Sequence, residues 1–317
     1  MKVKLWILVG AALALAACFV LIDLPHNWDY ALPRRLKKVL AIVLTGGAIG
    51  YATLIFQTMT NNRILTPSVI GLDYLYLLIQ TFIVFVFGSL SYPSANDHMN
   101  FAITTIIMIL FVGILYKLLF QRDGQNLFFL LLIGLVMGTM FESISTFLQV
   151  LIDPNEFQIL TSRMFASFNN VNDELLLLSV ILLGCVAVYS LRFRKYLDAM
   201  SLGKDHAVNL GIPYNAVVKN MLIIVTILVS VSTALVGPIT FLGLLVVNLA
   251  YQFMKTYRHS MLIPASILIS IIALVGGQLI VERIFSFNTT VSVIINFVGG
   301  IYFLYLLLKE SRAHDRG

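Results

Sequence analysis

The sequence predicts an all-α, polytopic membrane protein of about ten transmembrane helices, and three observations predict it. Of 317 residues 59% are hydrophobic and only 11% charged, whereas about a quarter of an ordinary soluble domain is charged. Ten apolar runs reach or approach the roughly 17 to 25 residues of a bilayer crossing: 5–22, 36–58, 69–90, 101–120, 127–151, 175–193, 216–236, 239–254, 261–281 and 290–308. The third observation is where the cations fall. With Met1 in the cytoplasm, ten crossings return the C-terminus there, and 15 of the 21 Lys and Arg lie on inner segments, as the positive-inside bias requires. Only Arg34, Arg35, Lys37, Lys38, Arg163 and Arg283 fall outside. The runs leave little chain over, so residues 1–317 are expected to form a single transmembrane domain in the lipid bilayer.

The first run begins "MKVKLWILVGAALALAAC" and is similar to a lipoprotein signal ending at Cys18. Apolar sequence continues through Ile22, however, so a retained first helix is expected rather than a cleaved leader. The other cysteine, Cys185, lies inside an apolar run, which points to neither a disulfide nor a metal site.

Before the second run stands "LPRRLKK", residues 32–38. Pro33 suits a first helical position, so its cations are expected in the first helical turn. There they oppose the helix dipole at about 0.3 to 1 kcal/mol each. Two readings stand side by side: long basic side chains reaching lipid phosphates, or an outward docking patch for an acidic soluble partner.

Within the fifth run, "GTMFESISTFLQV" places Glu142 well inside the membrane, where an ionised side chain facing lipid costs several kcal/mol. It must face the protein interior or a watered cavity. It belongs either to a pathway lining with Ser143 and Thr146 or to an internal pairing with a neighbouring hydroxyl. The eighth run is short and follows Gly237 and Pro238 directly, a pair that ends one helix and permits a tight turn before the next.

The longest inner polar segment, 192–215, reads "RFRKYLDAMSLGKDHAVNLGIPYN". Two short helical pieces are expected, 196–202 and 205–210, punctuated by Gly203 and by Gly211 with Pro213. Such a pair is either a rigid knob that fits a groove on a cytoplasmic protein or an ordinary surface loop.

Enzymatic motifs are missing. There is no G-x-x-x-x-G-K-[ST] phosphate loop, H-E-x-x-H or G-x-S-x-G, and His26, His98, His206, His259 and His314 are scattered. No catalytic residue, metal or cofactor is expected, nor a nucleic-acid partner, and any nucleotide hydrolysis falls to another chain.

Several motifs in order give the chain a specific likeness. "SLGKDHAVNLGI", a span, and then "GPITFLGLLVVNLAY" resemble the permease subunits of ATP-binding cassette (ABC) importers for iron-siderophores, haem and cobalamin, the iron-chelate or FecCD-like family. The family's leucine-glycine, short helix and second leucine-glycine are matched by Leu202, Gly203, Ala207, Leu210 and Gly211. Its G-P-I-G-F-x-G-L pattern is matched by Gly237, Pro238, Ile239, Phe241, Gly243 and Leu244. In the N-terminal half Leu32, Pro33, Arg34, Gln57, Asn62, Pro67 and Gly71 match, and the closing segments at 262–280 and "YFLYLLLK" resemble the family's own. There are departures: Thr240 stands where glycine is usual, Val247-Asn248 for proline-histidine, Tyr251 for arginine and Lys204 for an acid. Arg63 and Ile64 interrupt the N-P-L motif, and Asp73 occupies a position that is usually small and uncharged.

The resemblance implies a type II ABC importer permease fold, working as a dimer with a second permease, two ATP-binding subunits inside and an extracytoplasmic substrate-binding protein outside. It implies that segment 196–211 couples to the ATPases through Leu202, Gly203, Ala207, Leu210 and Gly211. It also implies that Arg34 and Arg283 dock the receptor, with Arg35, Lys37 and Lys38 either strengthening that patch or anchoring in lipid. The function implied is import of an iron-siderophore across the cytoplasmic membrane. The alternatives are the same fold carrying haem or cobalamin, or an ion-coupled secondary transporter titrating Glu142.

Overall fold

A computed structural model describes residues 2–22, 28–89, 91, 94, 96–120 and 127–314. His26, Arg122 and Arg316 lie outside the described residues, as do the side chains of Lys309, Arg312 and His314. Among the described residues every regular element is helical. Eight helices are long and apolar enough to cross a membrane: α1 (Lys2–Leu21), α2 (Trp28–Thr60), α4 (Asp97–Phe120), α5 (Leu127–Leu151), α7 (Asp173–Leu191), α10 (Tyr214–Val236), α12 (His259–Arg283) and α13 (Val291–His314). Two apolar helices are shorter, α3 (Leu72–Phe87) and α11 (Leu242–Met254). The ten expected runs therefore become eight full spans and two truncated ones.

The other helices lie between spans. α6 (Pro154–Met164) begins on Asp153, whose carboxylate accepts the Asn155 N–H at 2.9 Å, with Pro154 at its first position. α8 (Arg194–Met200) and α9 (Lys204–Asn209) fall in the expected inner segment, each starting one or two residues earlier than the sequence suggested. A 3₁₀ turn, Pro67–Ile70, precedes α3.

α2 and α10 are the most buried of the long spans, and α2 packs on α10, α11 and α12. Two apolar clusters form around it, one with α3, α4 and α10, the other with α1, α11 and α12. Between helices in lipid the hydrophobic effect adds little, so packing and interhelical hydrogen bonds of about 0.6 kcal/mol each do the holding. Ser270 of α12 donates to the Gly46 carbonyl of α2 at 2.7 Å, Tyr51 of α2 to Ser190 of α7 at 2.9 Å, and Gln80 of α3 to Thr104 of α4 at 3.0 Å.

One sequence expectation is corrected. α2 starts at Trp28, so Pro33 is not a first-position proline but lies inside the helix. The first turn carries Asp29 instead, an acid that suits the dipole, and Arg34 to Lys38 lie beyond the turn where the dipole acts strongly. The additional N-terminal turn is exposed at Trp28 and Tyr30, and nothing in the structure explains why the helix begins before Pro33.

Candidate functional site

The two short apolar helices share a cause. Each follows a break in which the backbone leaves the helix: residues 61–71 before α3, and 237–241 between α10 and α11. By helix parity the breaks enter from opposite faces, and they meet beside Ile49 and Thr53 of α2, where Thr66, Ser68, Ile239 and Thr240 line one small space. Non-helical backbone is tolerated at membrane depth only where protein or a watered cavity surrounds it. Paired broken helices are accordingly the usual place of a transport site.

Close approach forces glycine at both breaks. Gly71 has φ 88°, and a Cβ there would stand 3.0 Å from backbone atoms of Gly134 and Gly138 on α5. Gly237 has φ 99°, and a Cβ would stand 3.0 Å from Ala166 Cα; the neighbouring Ser167 N–H donates to the Val236 carbonyl at 2.8 Å. Asn248 of α11 and Gln57 of α2 both donate to the Arg63 carbonyl, at 2.9 and 2.7 Å. The first break is thereby tied to the helix that follows the second.

Against these breaks lies a cavity of about 600 Å³, walled by the 3₁₀ turn, α3, α5 and the start of α11 and lined in part by Asp73, Tyr74, Thr139, Glu142, Thr240 and Phe241. Asp73, in the first turn of α3, is 7% exposed. The Ser68 and Thr240 hydroxyls approach its carboxyl, yet its buried Oδ2 has no hydrogen-bond partner. The sequence marked Asp73 only as an unusual acid; an acid at the edge of an apolar run was its one signal. Glu142 lines the same cavity. Ser143 and Thr146 do not; both are exposed on α5, and Ser143 donates to the Thr139 carbonyl at 2.8 Å.

The basic stretch sits at the opposite end of the molecule from α8 and α9, and its members differ in their partners. Lys37 pairs with Asp173, and Lys38 with Glu282 at 2.8 Å. Arg35 donates to the carbonyls of Val20 at 2.9 Å and Ile22 at 2.6 Å, and Arg283 reaches the same Ile22 carbonyl at 2.8 Å. These two arginines thus satisfy the end of α1, where unpaired carbonyls and the dipole favour a cation. Arg34 is exposed and stacks its guanidinium 4.2 Å from the Tyr30 ring centroid. Arg34, Lys37 and Lys38 border one open basin of about 890 Å³ together with Asp173, Glu174 and Glu282.

At the other end α8 and α9 form a knob with an apolar underside and an apolar crown. Leu197, Met200 and Ala207 are buried, while Leu202, Val208 and Leu210 are 59%, 50% and 63% exposed. Gly203 and Gly211 adopt φ of 99° and 78°, the left-handed turns that bracket α9. A chain of contacts fixes the knob to the spans. Asp198 accepts from the His259 N–H at 2.8 Å and meets its Nδ1 at 2.7 Å, and His259 Nε2 lies 2.7 Å from the Thr58 hydroxyl of α2. Sequence reasoning passed over His259 as one of five scattered histidines; nothing in its spacing from Asp198 discloses the pairing.

Comparison with known proteins places this architecture. The FecCD transport family matches residues 24–309. The petrobactin import system permease protein YclO of Bacillus subtilis is 62% identical over 312 residues, covering 98% of this chain and 99% of that protein. The petrobactin import system permease protein FatC of Bacillus anthracis is 36% identical over 277 residues, covering 87% and 78%. Among solved structures, a metal-chelate type ABC transporter in an inward-facing conformation superposes with a TM-score of 0.83 at 18% identity over 97% of this chain and 99% of that one, a likeness of fold. The chain belongs to the FecCD transport family.

Proposed function

We propose that the chain is a transmembrane permease subunit of an ATP-driven importer of iron-siderophore complexes, with ferric petrobactin as its cargo. The observation that carries this is 62% identity along 98% of the chain to a petrobactin permease. The cavity at the meeting of two broken helices supports it, as a ready-made segment of a translocation pathway. Glu142 lines that pathway, and Thr146, one turn further along α5, extends it with Ser143 where a second permease closes the other side.

The partners follow from surface chemistry. With no phosphate loop in the chain, ATP hydrolysis belongs to a separate cassette subunit. The exposed leucines of the α8–α9 knob are its docking crown, on the cytoplasmic face together with both termini. Arg34, with Lys37, Lys38, Arg35 and Arg283 around it, faces an extracytoplasmic receptor. Two different petrobactin permeases are known in each of two organisms, YclO with YclN and FatC with FatD, and this chain is nearer to YclO and FatC. A heterodimer with a YclN-like chain is the assembly proposed.

The test is complementation in cells lacking their own petrobactin permeases. Expressed with its partner permease, cassette subunit and receptor, this chain restores uptake of ferric petrobactin, and ATP depletion abolishes it. Uptake that survives ATP depletion but is lost to a protonophore would instead establish the ion-coupled alternative.

A further inference from the structure

The cavity between the broken helices has one sign of charge. Asp73 and Glu142 both line it, and among the described residues no lysine, arginine or histidine does. The basin at the receptor-facing end, by contrast, mixes signs, pairing Lys37 with Asp173 and Lys38 with Glu282. Glu142 forms no ion pair among the described residues, and Tyr74 lies within electrostatic reach of both carboxylates.

Asp73 is the more telling of the two. A buried carboxylate oxygen at membrane depth is costly without a donor, and the N-terminal dipole of α3 offsets only part of that cost. Yet Asp73 is 7% exposed, and although the Ser68 and Thr240 hydroxyls approach its carboxyl, its Oδ2 has no hydrogen-bond partner among the described residues. Oδ2 is left free to accept from a cation or an N–H donor, and the cavity that Asp73 lines is where one can enter. The rings of Tyr74, Phe165 and Phe241 line the same space and offer cation–π faces to a positive group.

We propose that Asp73 and Glu142 form a cation-selecting subsite on the pathway wall. It takes an ammonium or protonated amine carried by the cargo and opposes passage of a chelate whose surface is anionic. The subsite rests on the reading of this cavity as the translocation pathway, and its charge preference is measurable apart from transport.

Thr139 lines the cavity, and its own hydroxyl only bonds back to the Leu135 and Val136 carbonyls of its helix. The experiment places Thr139→Cys in a chain carrying Cys18→Ser and Cys185→Ser, expressed with its subunits in native membrane vesicles. Modification rates are compared for a trimethylammonium-ethyl and a sulfonatoethyl methanethiosulfonate, each divided by its rate with a free thiol. The ratio cancels changes in thiol acidity.

A single-signed cavity is expected to favour the cationic reagent by about tenfold or more, and Asp73→Asn with Glu142→Gln to bring the ratio close to one. Glu142→Gln alone, a change at an exposed position that leaves the buried carboxylate in place, is expected to lower it part of the way. A parent ratio near one, or a ratio that neither variant moves, overturns the subsite. Ferric petrobactin uptake is read in the same cells. A cation preference without uptake supports the subsite and counts against the transport role, and uptake without a cation preference overturns the subsite alone.

Discussion

Four neighbouring cations that look alike in sequence have separate partners in the fold, and their substitutions should differ accordingly. Lys38 and Glu282 are both partly buried and 2.8 Å apart, Arg35 and Arg283 hold the end of α1, and among the described residues the partner of Arg34 is the ring of Tyr30. Arg34→Glu should therefore weaken receptor binding about tenfold at low ionic strength, where exposed charge contacts are strongest, without loss of membrane insertion. Binding unchanged at low salt contradicts the docking role. Arg283→Glu should also loosen α1, which a protease-accessibility assay on its C-terminal end reports. At the other face, Asp198→Asn removes a charge-assisted contact to buried His259. The expected cost is about 1 to 3 kcal/mol of stability, read as a lower midpoint of thermal unfolding, with transport reduced while the cassette subunit still copurifies. Transport at the parent level would mean that the Asp198–His259–Thr58 chain transmits nothing.

The elements were legible in proportion to how local their determinants are. The ten apolar runs, the turn at Gly237 and Pro238, and the helices on either side of Gly203 follow from composition and φ preference. The runs and the pair at Gly203 are helical where expected, two of the ten as shortened helices and the pair shifted by one or two residues. The start of α2 is the exception: it lies at Trp28, one turn and more before Pro33, in exposed residues that the preference of proline for a first turn does not anticipate. Asp73 was equally opaque: its burial depends on 237–241 folding against 66–73, a contact between residues some 170 positions apart. Nearness in sequence groups Ser143 and Thr146 with Glu142, but they do not line its cavity. Two substitutions test the breaks and the knob as elements. Gly237→Ala combines positive φ with a backbone clash at Ala166, and is expected to destabilise by about 1 to 3 kcal/mol. A midpoint of unfolding equal to the parent's would show that the loop at Ala166 gives way freely. Gly203→Pro cannot adopt φ 99°, so the knob should lose the cassette subunit while receptor binding persists. Continued copurification with full transport would reduce the knob to a surface loop.

At the scale of the whole molecule, two buried helices, α2 and α10, carry the packing, and the helix that follows each is cut short so that irregular backbone meets between them. That arrangement gives the molecule a cavity at membrane depth, a knob at one end and a charged basin at the other. Its two ends are joined mechanically, since α2 runs from Arg34 and Arg35 to Thr58, which touches His259 and through it the knob. On the proposed function, this path carries a push on the knob to the helix that borders the breaks, the kind of two-state coupling an importer needs. Reconstitution tests this most directly: the chain, its partner permease and the cassette subunit in proteoliposomes, with receptor and ferric petrobactin bearing radiolabelled iron on the receptor side. Accumulation of iron is expected with ATP on the knob side, none with an imposed proton gradient alone, and no ATP hydrolysis by the chain purified by itself. Iron accumulation driven by the proton gradient without ATP would contradict the account.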